Sequence, residues 1–352
     1  MSKRLIVLGA TGSIGSNVVD VVRSHPDEFQ VMAVTALHSV AECDALAKEF
    51  GAKSYVGEDA AVRAVEDNEA DICVVATVGI SGLRPTIMAI DKGMDIALAT
   101  KEVLVMAGEL VMGMAARKHV RILPVDSEHS EIFQCMQGGG KPAKLILTAS
   151  GGPFLDESID LSKVTVEQAL NHPRWKMGSK VTIDSSTMMN KGFEVIEARW
   201  LFNIPVEKID VVVHPESVVH SLVEFEDGAV LAQLGLPDMR IPIQYALSWP
   251  NRLPASLRKL DLSEVGSLTF RKPNAVRFPC LRLANEACRR GGGVPAVMAA
   301  ADELAVGRFI NREIGYLDIA KFIESCMDKA PQFGCDSVDA VYAARDWVDS
   351  WK

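Results

Sequence analysis

The chain has 352 residues, of which 48% are hydrophobic and 24% charged, a composition typical of a globular protein with an ample core. Its formal net charge of −9 argues against a nucleic-acid-binding surface, but it leaves room for a local basic pocket that holds a phosphate. No stretch contains the roughly 18–20 unbroken apolar residues of a membrane span. The seven cysteines are scattered and include no CxxC pair. This argues against a disulfide framework or a structural zinc site and fits a reducing cytoplasm.

The first 125 residues alternate short β-rich runs with stretches of helical spacing. The apolar run at the start is followed at once by glycines and polar residues, which favours a first strand over a signal peptide. Strands are predicted at residues 4–9, 30–36, 72–77, 95–99 and 120–125. Such alternation predicts βαβ units in a mostly parallel, Rossmann-like sheet.

The pattern changes further along the chain. A strand with a glycine turn is predicted at 144–152, a helix at 184–202, and then three strand-like runs with a hairpin turn at EDG, residues 226–228. We therefore expect an α/β protein with a Rossmann-like domain at 1–125 and a central α+β catalytic domain at 126–248. A Pro-rich linker is expected at 249–274 and a small helical domain, interrupted by GGG at 291–293, at 275–352.

The motif GATGSIG places Gly9, Gly12 and Gly15 between the first strand and the first helix. Glycines there allow a tight turn whose backbone N–H groups approach a pyrophosphate at the helix N-terminus. A tight turn without a ligand is the alternative interpretation. NAD-preferring sites place an acid after the second strand, whereas this chain has His38 and Ser39. This favours NADP(H).

Two acidic residues follow the fifth predicted strand. In an extended chain Asp126 and Glu128 would project to the same side, and two neighbouring carboxylates need a cation, a proton or water between them. Oxygen ligands suit Mg²⁺ or Mn²⁺. Alone, the pair fits a solvated strand end better, so a metal site requires a third carboxylate.

The predicted helix 184–202 supplies a third carboxylate. Met189, Phe193, Ile196 and Trp200 form its apolar stripe. Asn190 and Glu194, four residues apart, share another face with Lys191 beside them. We expect the hydroxyl, amide and ammonium donors to form a phosphate cradle, with Asp184, Ser185 and Ser186 at the helix start, and Glu194 to be a metal ligand. Simple N-capping is the alternative for each serine.

Three further segments are candidates for contact with a ligand. In NHPRWKMGSK (171–180), Trp175 and Met177 are apolar residues on an apparent loop, which suits a lid or an anchor on the core. His172 would face the ligand from this loop or be a turn residue. Ser150 ends a strand that leads into the loop. Lys101 and Glu102 follow a strand where cofactor and substrate would meet, or form a surface ion pair.

From these residues alone we infer a metal-dependent, NADP-linked enzyme that acts on a small phosphorylated substrate. One alternative is an NADP-dependent dehydrogenase without rearrangement, which would be active without a divalent metal. Another is a dinucleotide-binding regulator with a decayed active site. The intact carboxylates at 126, 128 and 194 argue against decay.

Taken in order, GATGSIG, PVDSEHS, ASGGPF, HPRWKMGSK and IDSSTMMNKGFEVIEA resemble the 1-deoxy-D-xylulose 5-phosphate reductoisomerase family. HPESVVHS, LAQLGLPDMR, WPNR and FPCLRLA extend the resemblance over nearly the whole chain. It implies conversion of 1-deoxy-D-xylulose 5-phosphate to 2-C-methyl-D-erythritol 4-phosphate in the non-mevalonate isoprenoid pathway. Metal-assisted C–C rearrangement would be followed by hydride transfer from NADPH.

The resemblance also implies roles for individual residues and an assembly. Asp126, Glu128 and Glu194 would bind Mg²⁺, Mn²⁺ or Co²⁺. Substrate contacts would come from Ser127, Ser150, Ser185, Asn190 and Lys191, and from a flap carrying His172, Trp175 and Met177. Thr11, Gly12, Ser13, Ile14, Lys101 and Glu102 would line the boundary between NADPH and substrate. From their places after the first, second and fifth strands, we expect Gly9, Gly15, His38, Ser39 and Thr100 to belong to the same cofactor site. Within these sets we expect Lys101, Glu128 and His172 to be catalytic, and we expect a cytoplasmic homodimer.

Two positions depart from the family pattern. Thr100 stands where the family usually has asparagine, and Leu37-His38-Ser39 stands where it usually has glycine, a basic residue and asparagine. These departures concern recognition of the 2′-phosphate of NADPH.

Overall fold

The structure is a computed structural model that describes residues 2–173 and 177–351, and it contains two compact units. The first unit comprises residues up to Val103, Glu109–Ser130 and Asp238–Leu257. The second comprises Leu104–Gly108, Glu131–Pro237 and the residues from Arg258 onward. The chain thus returns to the first unit at 238–257, across the predicted boundary at 248. The assignment of separate catalytic, linker and C-terminal domains stays a prediction.

A six-stranded parallel sheet forms the centre of the first unit, with strand order β3-β2-β1-β4-β5-β6. In its first strand, residues 5–8 are apolar and buried, as expected of a parallel strand covered on both faces. The order is that of a dinucleotide-binding α/β fold, which confirms the predicted parallel sheet; β3 falls where we predicted no strand. The strands are β1 (Lys3–Leu8), β2 (Phe29–Ala36), β3 (Lys53–Val56), β4 (Ile72–Val75), β5 (Asp95–Leu98) and β6 (Ile122–Pro124).

Helices connect these strands, as parallel pairing requires. In the first helix, Val18 and Val22 are buried one turn apart and present an apolar face. The Lys3 ammonium donates to the backbone oxygens of Leu247 and Trp249, which ties the returning segment to β1. The helices are α1 (Ser13–Ser24), α2 (Val40–Phe50), α3 (Ala60–Glu66), α4 (Leu83–Asp91), α5 (Glu102–Lys118), α6 (Ser127–Met136), which continues into the second unit, and α10 (Arg240–Ser248).

The second unit contains a four-stranded mixed sheet, order β10-β9-β7-β8. β7 pairs antiparallel with β9 and parallel with β8. The β9–β10 connection is the predicted hairpin, and Gly228 adopts φ +86° in its turn. The strands are β7 (Pro142–Ala149), β8 (Ile209–Val213), β9 (Val219–Phe225) and β10 (Val230–Leu234).

Two helices replace the single helix predicted at 184–202. Helix α8 (Ser179–Thr187) ends before Met188, which adopts the left-handed region with φ +63°, and α9 (Met189–Leu201) begins after it. The prediction of one continuous helix is therefore wrong, because a left-handed residue breaks the repeat of backbone hydrogen bonds. Nor is α9 amphipathic, since Lys191, Glu194 and Glu197 are buried along with its apolar residues.

The last part of the second unit is helical, and the predicted interruption at 291–293 separates α12 from α13. The remaining helices are α7 (Val166–Ala169), α11 (Leu262–Val265), α12 (Pro279–Arg290), α13 (Val294–Ile310), α14 (Tyr316–Lys329) and α15 (Val338–Asp349). Within residues 2–173 and 177–351, none of the helices has the length and apolar character to cross a membrane.

Gly108 in α5 lies directly against an aromatic side chain. A Cβ at Gly108 would sit 2.2 Å from Cδ1 of Trp200, far inside contact distance, whereas a Cβ at Gly113 in the same helix would meet only the end of Arg117, at 3.5 Å. The absence of a side chain at 108 therefore sets how closely this turn of α5 packs on α9.

We predict that Gly108→Ala destabilises the protein by about 1–3 kcal/mol, because the added methyl group forces the Trp200 ring out of its place. Gly113→Ala is the matched control and should be neutral or stabilising by up to about 1 kcal/mol, since alanine favours a helix interior. Urea unfolding of the two variants measures the difference. Equal midpoints for both would contradict the packing argument.

Candidate active site

The candidate residues of the first unit all follow carboxyl ends of strands in its parallel sheet. They lie in the turn after β1, the loop after β2, the turn after β5 and the segment after β6. In a parallel sheet these ends share one edge, which is where open α/β sheets bind ligands. The sheet therefore brings together Gly9, Thr11, Gly12, Ser13, Ile14, Gly15, His38, Ser39, Thr100, Lys101, Glu102, Asp126, Ser127 and Glu128 along one edge.

The turn after β1 has the form expected for pyrophosphate binding. Gly9 has φ +80°, and a Cβ there would lie 2.5 Å from the backbone oxygen of Ala76; a Cβ at Gly15 would lie 2.1 Å from the oxygen of Gly9. The N–H of Gly9 donates to Oγ1 of Thr35 on β2, which fixes the turn. Gly12 precedes α1, and no side chain caps this helix. Its first N–H groups are therefore available for an anion.

The loop after β2 carries three exposed residues, Leu37, His38 and Ser39. Ser39 occupies the N-cap position of α2 but makes no side-chain capping bond. The hydroxyl and the imidazole are therefore both on the surface beside a helix N-terminus.

After β5, Thr100 is buried and its hydroxyl donates to the backbone oxygens of Thr77 and Val75. These bonds tie the end of β5 to the end of β4. Glu102 is the first residue of α5, and Lys101 precedes it with its side chain only 12% exposed. Thr100 therefore stabilises this sheet edge through its hydrogen bonds, whereas the Lys101 side chain points towards the segment after β6.

The Lys101 ammonium lies 2.6 Å from Oδ2 of Asp126. Oδ1 of the same carboxylate pairs with Nδ1 of His129, at 2.9 Å. Burial by itself raises the pKa of Asp126, but Lys101 and His129 hold it well below its usual range, so the carboxylate is ionised.

The extended geometry assumed for Asp126 and Glu128 is wrong. Helix α6 begins at Ser127, and the backbone oxygen of Asp126 accepts the N–H of Ser130 as its first helical bond. Asp126 therefore precedes the helix and Glu128 lies in its first turn, and in this arrangement a carboxylate oxygen of Asp126 lies within 4.8 Å of one of Glu128. Ser127 donates to Oε2 of Glu128 at 2.6 Å. The negative charge of Glu128 is also stabilised by the helix dipole, because Glu128 lies in the first turn of α6.

In the second unit, α9 places three predicted residues in one cluster. Asn190 donates to Oε1 of Glu194 at 2.5 Å, and the Lys191 ammonium donates to Oε2. Glu194 is only 1% exposed. A buried carboxylate is stable only with such cationic and hydrogen-bonding partners. The surroundings of Glu194 therefore favour a positively charged partner.

Ser150 and His172 come together although they are 22 residues apart. Oγ of Ser150 lies 3.2 Å from Nε2 of His172 and accepts the N–H of Gly152. Burial lowers the pKa of His172, so its imidazole is predominantly neutral near pH 7. Met177 is half-buried, and Trp175 lies outside the described residues.

The predicted position of Asp184, Ser185 and Ser186 at a helix start is wrong, because they lie in the second half of α8. Ser185 is half-buried and Ser186 is buried. Asp184 pairs with the Lys180 ammonium at 2.5 Å, and Lys180 also contacts Oδ2 of buried Asp302 at 2.5 Å. Ser185 lies near the glycine turn that follows Ser150, because a Cβ added at Gly152 would lie 3.0 Å from the backbone oxygen of Ser185.

The sequence reasoning overlooked two residues of these clusters. His129 is completely buried and orients Asp126; its spacing of three residues from Asp126 was a signal once a helix is assumed. The Lys180 partnership with Asp302 spans 122 residues, and no local pattern indicates it.

Comparisons with known proteins match nearly the whole length of the chain. Three family profiles match: "1-deoxy-D-xylulose 5-phosphate reductoisomerase" at residues 5–56 and 48–108, its C-terminal domain at 122–202, and "DXP reductoisomerase C-terminal domain" at 234–351. The 1-deoxy-D-xylulose 5-phosphate reductoisomerase of Chlorobium chlorochromatii is 50% identical over 94% of each chain. That of Pelodictyon phaeoclathratiforme is 47% identical over 98% of this chain and 97% of its own.

Solved structures agree with these relatives. The enzyme from Zymomonas mobilis in complex with NADPH superimposes with a TM-score of 0.91 at 40% identity, covering 99% of this chain and 97% of that one. A DOX-P reductoisomerase in complex with NADPH, fosmidomycin and magnesium gives 0.92 at 39% identity, covering 98% and 96%. With these matches over nearly its full length, the chain belongs to the 1-deoxy-D-xylulose 5-phosphate reductoisomerase family.

Proposed function

We propose that Asp126, Glu128 and Glu194 bind the divalent metal of an NADPH-dependent reductoisomerase. The enzyme converts 1-deoxy-D-xylulose 5-phosphate to 2-C-methyl-D-erythritol 4-phosphate in the non-mevalonate isoprenoid pathway. The observation that carries the activity is the 50% identity to a curated reductoisomerase over 94% of both chains. The residue roles rest on the clusters described above.

The donor chemistry of the three carboxylates fits a hard divalent cation such as Mg²⁺ or Mn²⁺. Asp126 already holds an ammonium group, that of Lys101, at 2.6 Å, and Glu194 holds that of Lys191. Each carboxylate is thus paired with a positively charged group. Burial of Glu194 adds to this, because water does not compete for its oxygens.

Ser150, Ser185, Asn190 and Lys191 are the proposed partners of the substrate phosphate, and Ser127 is a further proposed substrate contact. Hydroxyl, amide and ammonium groups together offer the neutral and charged donors that a phosphate dianion needs. In the structure Asn190 and Lys191 donate to Glu194. We propose that the two donors turn from Glu194 to the phosphate when the metal neutralises this carboxylate.

The cofactor is proposed to lie along the sheet edge of the first unit. The glycine turn leaves no room for a side chain at Gly9 or Gly15 and, with Gly12, leads into the uncapped N-terminus of α1, which fits the pyrophosphate. His38 and Ser39, on the exposed loop after β2, are the proposed partners of the ribose 2′-phosphate. Thr11, Ser13, Ile14, Thr100, Lys101 and Glu102 complete the proposed contacts.

When bound, the metal supplies Lewis acidity towards the ketone and hydroxyl oxygens of the substrate, and NADPH supplies the hydride. Lys101 keeps Asp126 ionised and fixed in direction. His172, neutral and 3.2 Å from Ser150, offers a hydrogen bond to the substrate from the proposed flap. With Trp175 and Met177, this segment would exclude water from the reacting carbons.

The metal dependence gives the main test. We expect NADPH oxidation on addition of 1-deoxy-D-xylulose 5-phosphate with Mg²⁺ or Mn²⁺, and no oxidation after chelation. Glu194→Gln should lower kcat/KM by about 100-fold or more and weaken Mn²⁺ binding by about 10–100-fold, because a neutral amide is a poor ligand. Absorbance at the NADPH band measures turnover, and calorimetry measures Mn²⁺ binding.

Glu207→Gln is the matched control, since it removes an exposed carboxylate from the same unit, and it should behave as wild type. NADPH binding should be unchanged in both variants. If Glu194→Gln bound Mn²⁺ normally, Glu194 would not be a ligand. Turnover that survives chelation would instead favour the simple dehydrogenase.

We also propose that the enzyme is a cytoplasmic homodimer. The structure shows free thiols at Cys43, Cys73, Cys135, Cys280, Cys288 and Cys326, which supports a reducing compartment. Strand β10 is an edge of the second sheet, and it exposes Val230 by 49% and Leu231 by 45%. An apolar edge strand is an unstable surface in a monomer and a ready site for pairing, which supports an interface between two copies there.

We predict that Leu231→Lys shifts the protein from dimer to monomer, because the charge would be buried at a paired edge. Analytical ultracentrifugation across a concentration series measures the shift. Leu262→Lys, at an equally exposed leucine in α11, is the control and should remain dimeric. A Leu231→Lys variant as dimeric as wild type would place the interface elsewhere.

His172 gives a prediction about pH. Burial lowers its pKa in the folded state, so the unfolded chain, with a pKa near 6.5, binds the proton more readily. Its contribution to stability is therefore full above about pH 7 and is lost as the pH falls through about 6.5 towards the folded-state pKa. The stability of wild type should fall more than that of His172→Gln between pH 7.5 and 5.5, as measured by urea unfolding of the apo-protein. Parallel curves for the two proteins would contradict the prediction; Asn171→Gln controls for substitution in the loop.

A further inference from the structure

The bend between α8 and α9 requires support from elsewhere in the chain. Met188 is not a glycine, yet it adopts φ +63°, which is an unfavourable conformation for a residue with a side chain. A helix end also leaves backbone oxygens without intrahelical partners. In α8 the N–H of Met188 satisfies the oxygen of Ser185, and the next oxygen, that of Ser186, needs a donor from outside the helix.

Tyr316, at the start of α14, provides this donor. Its hydroxyl donates to the backbone oxygen of Ser186 at 2.6 Å, across 130 residues. The side chain is 6% exposed, and burial raises the pKa of its phenol, so it remains a neutral donor over the physiological range. The bond therefore persists throughout the pH range in which the enzyme would work.

The ring of Tyr316 contacts the segment that follows Ser150. It packs edge-on against Phe154, with ring centroids 5.2 Å apart, and Phe154 ends the short 3₁₀ turn Gly152–Phe154 that follows Ser150. Gly152 in that turn lies so close to α8 that a Cβ would approach the oxygen of Ser185 to 3.0 Å. One tyrosine thus touches the segment of Ser185 through its hydroxyl and that of Ser150 through its ring.

The other end of α8 is anchored to the same group of helices. Lys180, in the first turn of α8, contacts Oδ2 of Asp302 in α13, and Asp302 is completely buried. The orientation of α8 is therefore set at both ends by α13 and α14. At the last turn of α8, the contact is the bond from the Tyr316 hydroxyl to the oxygen of Ser186.

We propose that Tyr316 is a positioning residue for the substrate phosphate, and this inference rests on the proposed phosphate site. Its hydroxyl holds the α8–α9 bend, which fixes Ser185 relative to Asn190 and Lys191 on α9, while its ring holds the turn after Ser150. Tyr316 touches neither the cofactor nor the reacting atoms in this assignment. It acts on the affinity for the phosphorylated substrate.

Tyr316→Phe tests the proposal, because it keeps the ring against Phe154 and removes only the hydroxyl. We expect KM for 1-deoxy-D-xylulose 5-phosphate to rise by about 3- to 10-fold, the change that one hydrogen bond supports. The values of kcat and KM for NADPH should stay within about twofold. Binding of inorganic phosphate to the Mg²⁺-loaded protein, measured by calorimetry, should weaken by a similar factor.

Phe309→Leu is the matched control. The ring centroids of Phe309 and Tyr316 are 5.8 Å apart, and among the ring contacts of the described residues Phe309 contacts neither the Ser150 segment nor the Ser185 segment. It should lower the melting temperature without raising KM. Phe154→Leu is a second variant that loosens the contact to the Ser150 turn and should raise KM as Tyr316→Phe does. A Tyr316→Phe enzyme with wild-type KM and phosphate affinity overturns the proposal, and so does an equal rise in KM for Phe309→Leu.

The proposed phosphate site is tested separately by Ser185→Ala and Lys191→Ala. If these variants bind phosphate as wild type does, the proposed site itself is wrong. If they bind weakly and Tyr316→Phe binds normally, the site stands and only the positioning role fails.

Discussion

The buried carboxylates of this protein must be compensated by neighbouring cations, and this constraint shapes its proposed active site. Asp126 is held by Lys101, Glu194 by Lys191, and Asp184 with Asp302 by Lys180. Loss of one partner from such a pair typically costs about 3–5 kcal/mol, because the remaining charge stays buried. Under the proposed roles, neighbouring ammonium groups thus compensate the metal-binding carboxylates before any metal binds.

This charge compensation also bears on how the lysines would bind a phosphate. An ammonium that neutralises a carboxylate is available for a phosphate once a divalent cation takes over its first task. Lys191 stands in this position, next to Asn190 and one turn before Glu194. Under the proposed roles, metal binding and phosphate binding would therefore support each other, because both relieve the same buried charge.

The parallel sheet was predictable because buried parallel strands are short apolar runs that alternate with helices, and β1, β2 and β4 carry that pattern. The strand order was not predicted. The glycine turn was also predictable from local sequence, because the glycines of GATGSIG directly follow the first apolar run. The break at Met188 was not, because nothing in DSSTMMNKG marks a left-handed residue; the tertiary bond from Tyr316 accompanies it. The helix start at Ser127 was missed because the pair Asp126 and Glu128 was read in strand geometry. Partners such as Lys180 and Asp302 are too distant in sequence for any periodicity to show them.

The net charge of −9 is unfavourable for a protein whose proposed ligands, a sugar phosphate and a dinucleotide, are both anions. Long-range attraction therefore contributes little, and binding must come from groups at short range. The arrangement meets this requirement with uncapped N–H groups at the start of α1 and with donors at the α8–α9 bend. Short-range donors work only when their geometry is fixed, since a hydrogen bond weakens steeply with distance and angle. The rigid glycine turn beside Thr35 and the bend held by Tyr316 are two solutions to this one requirement, one in each unit.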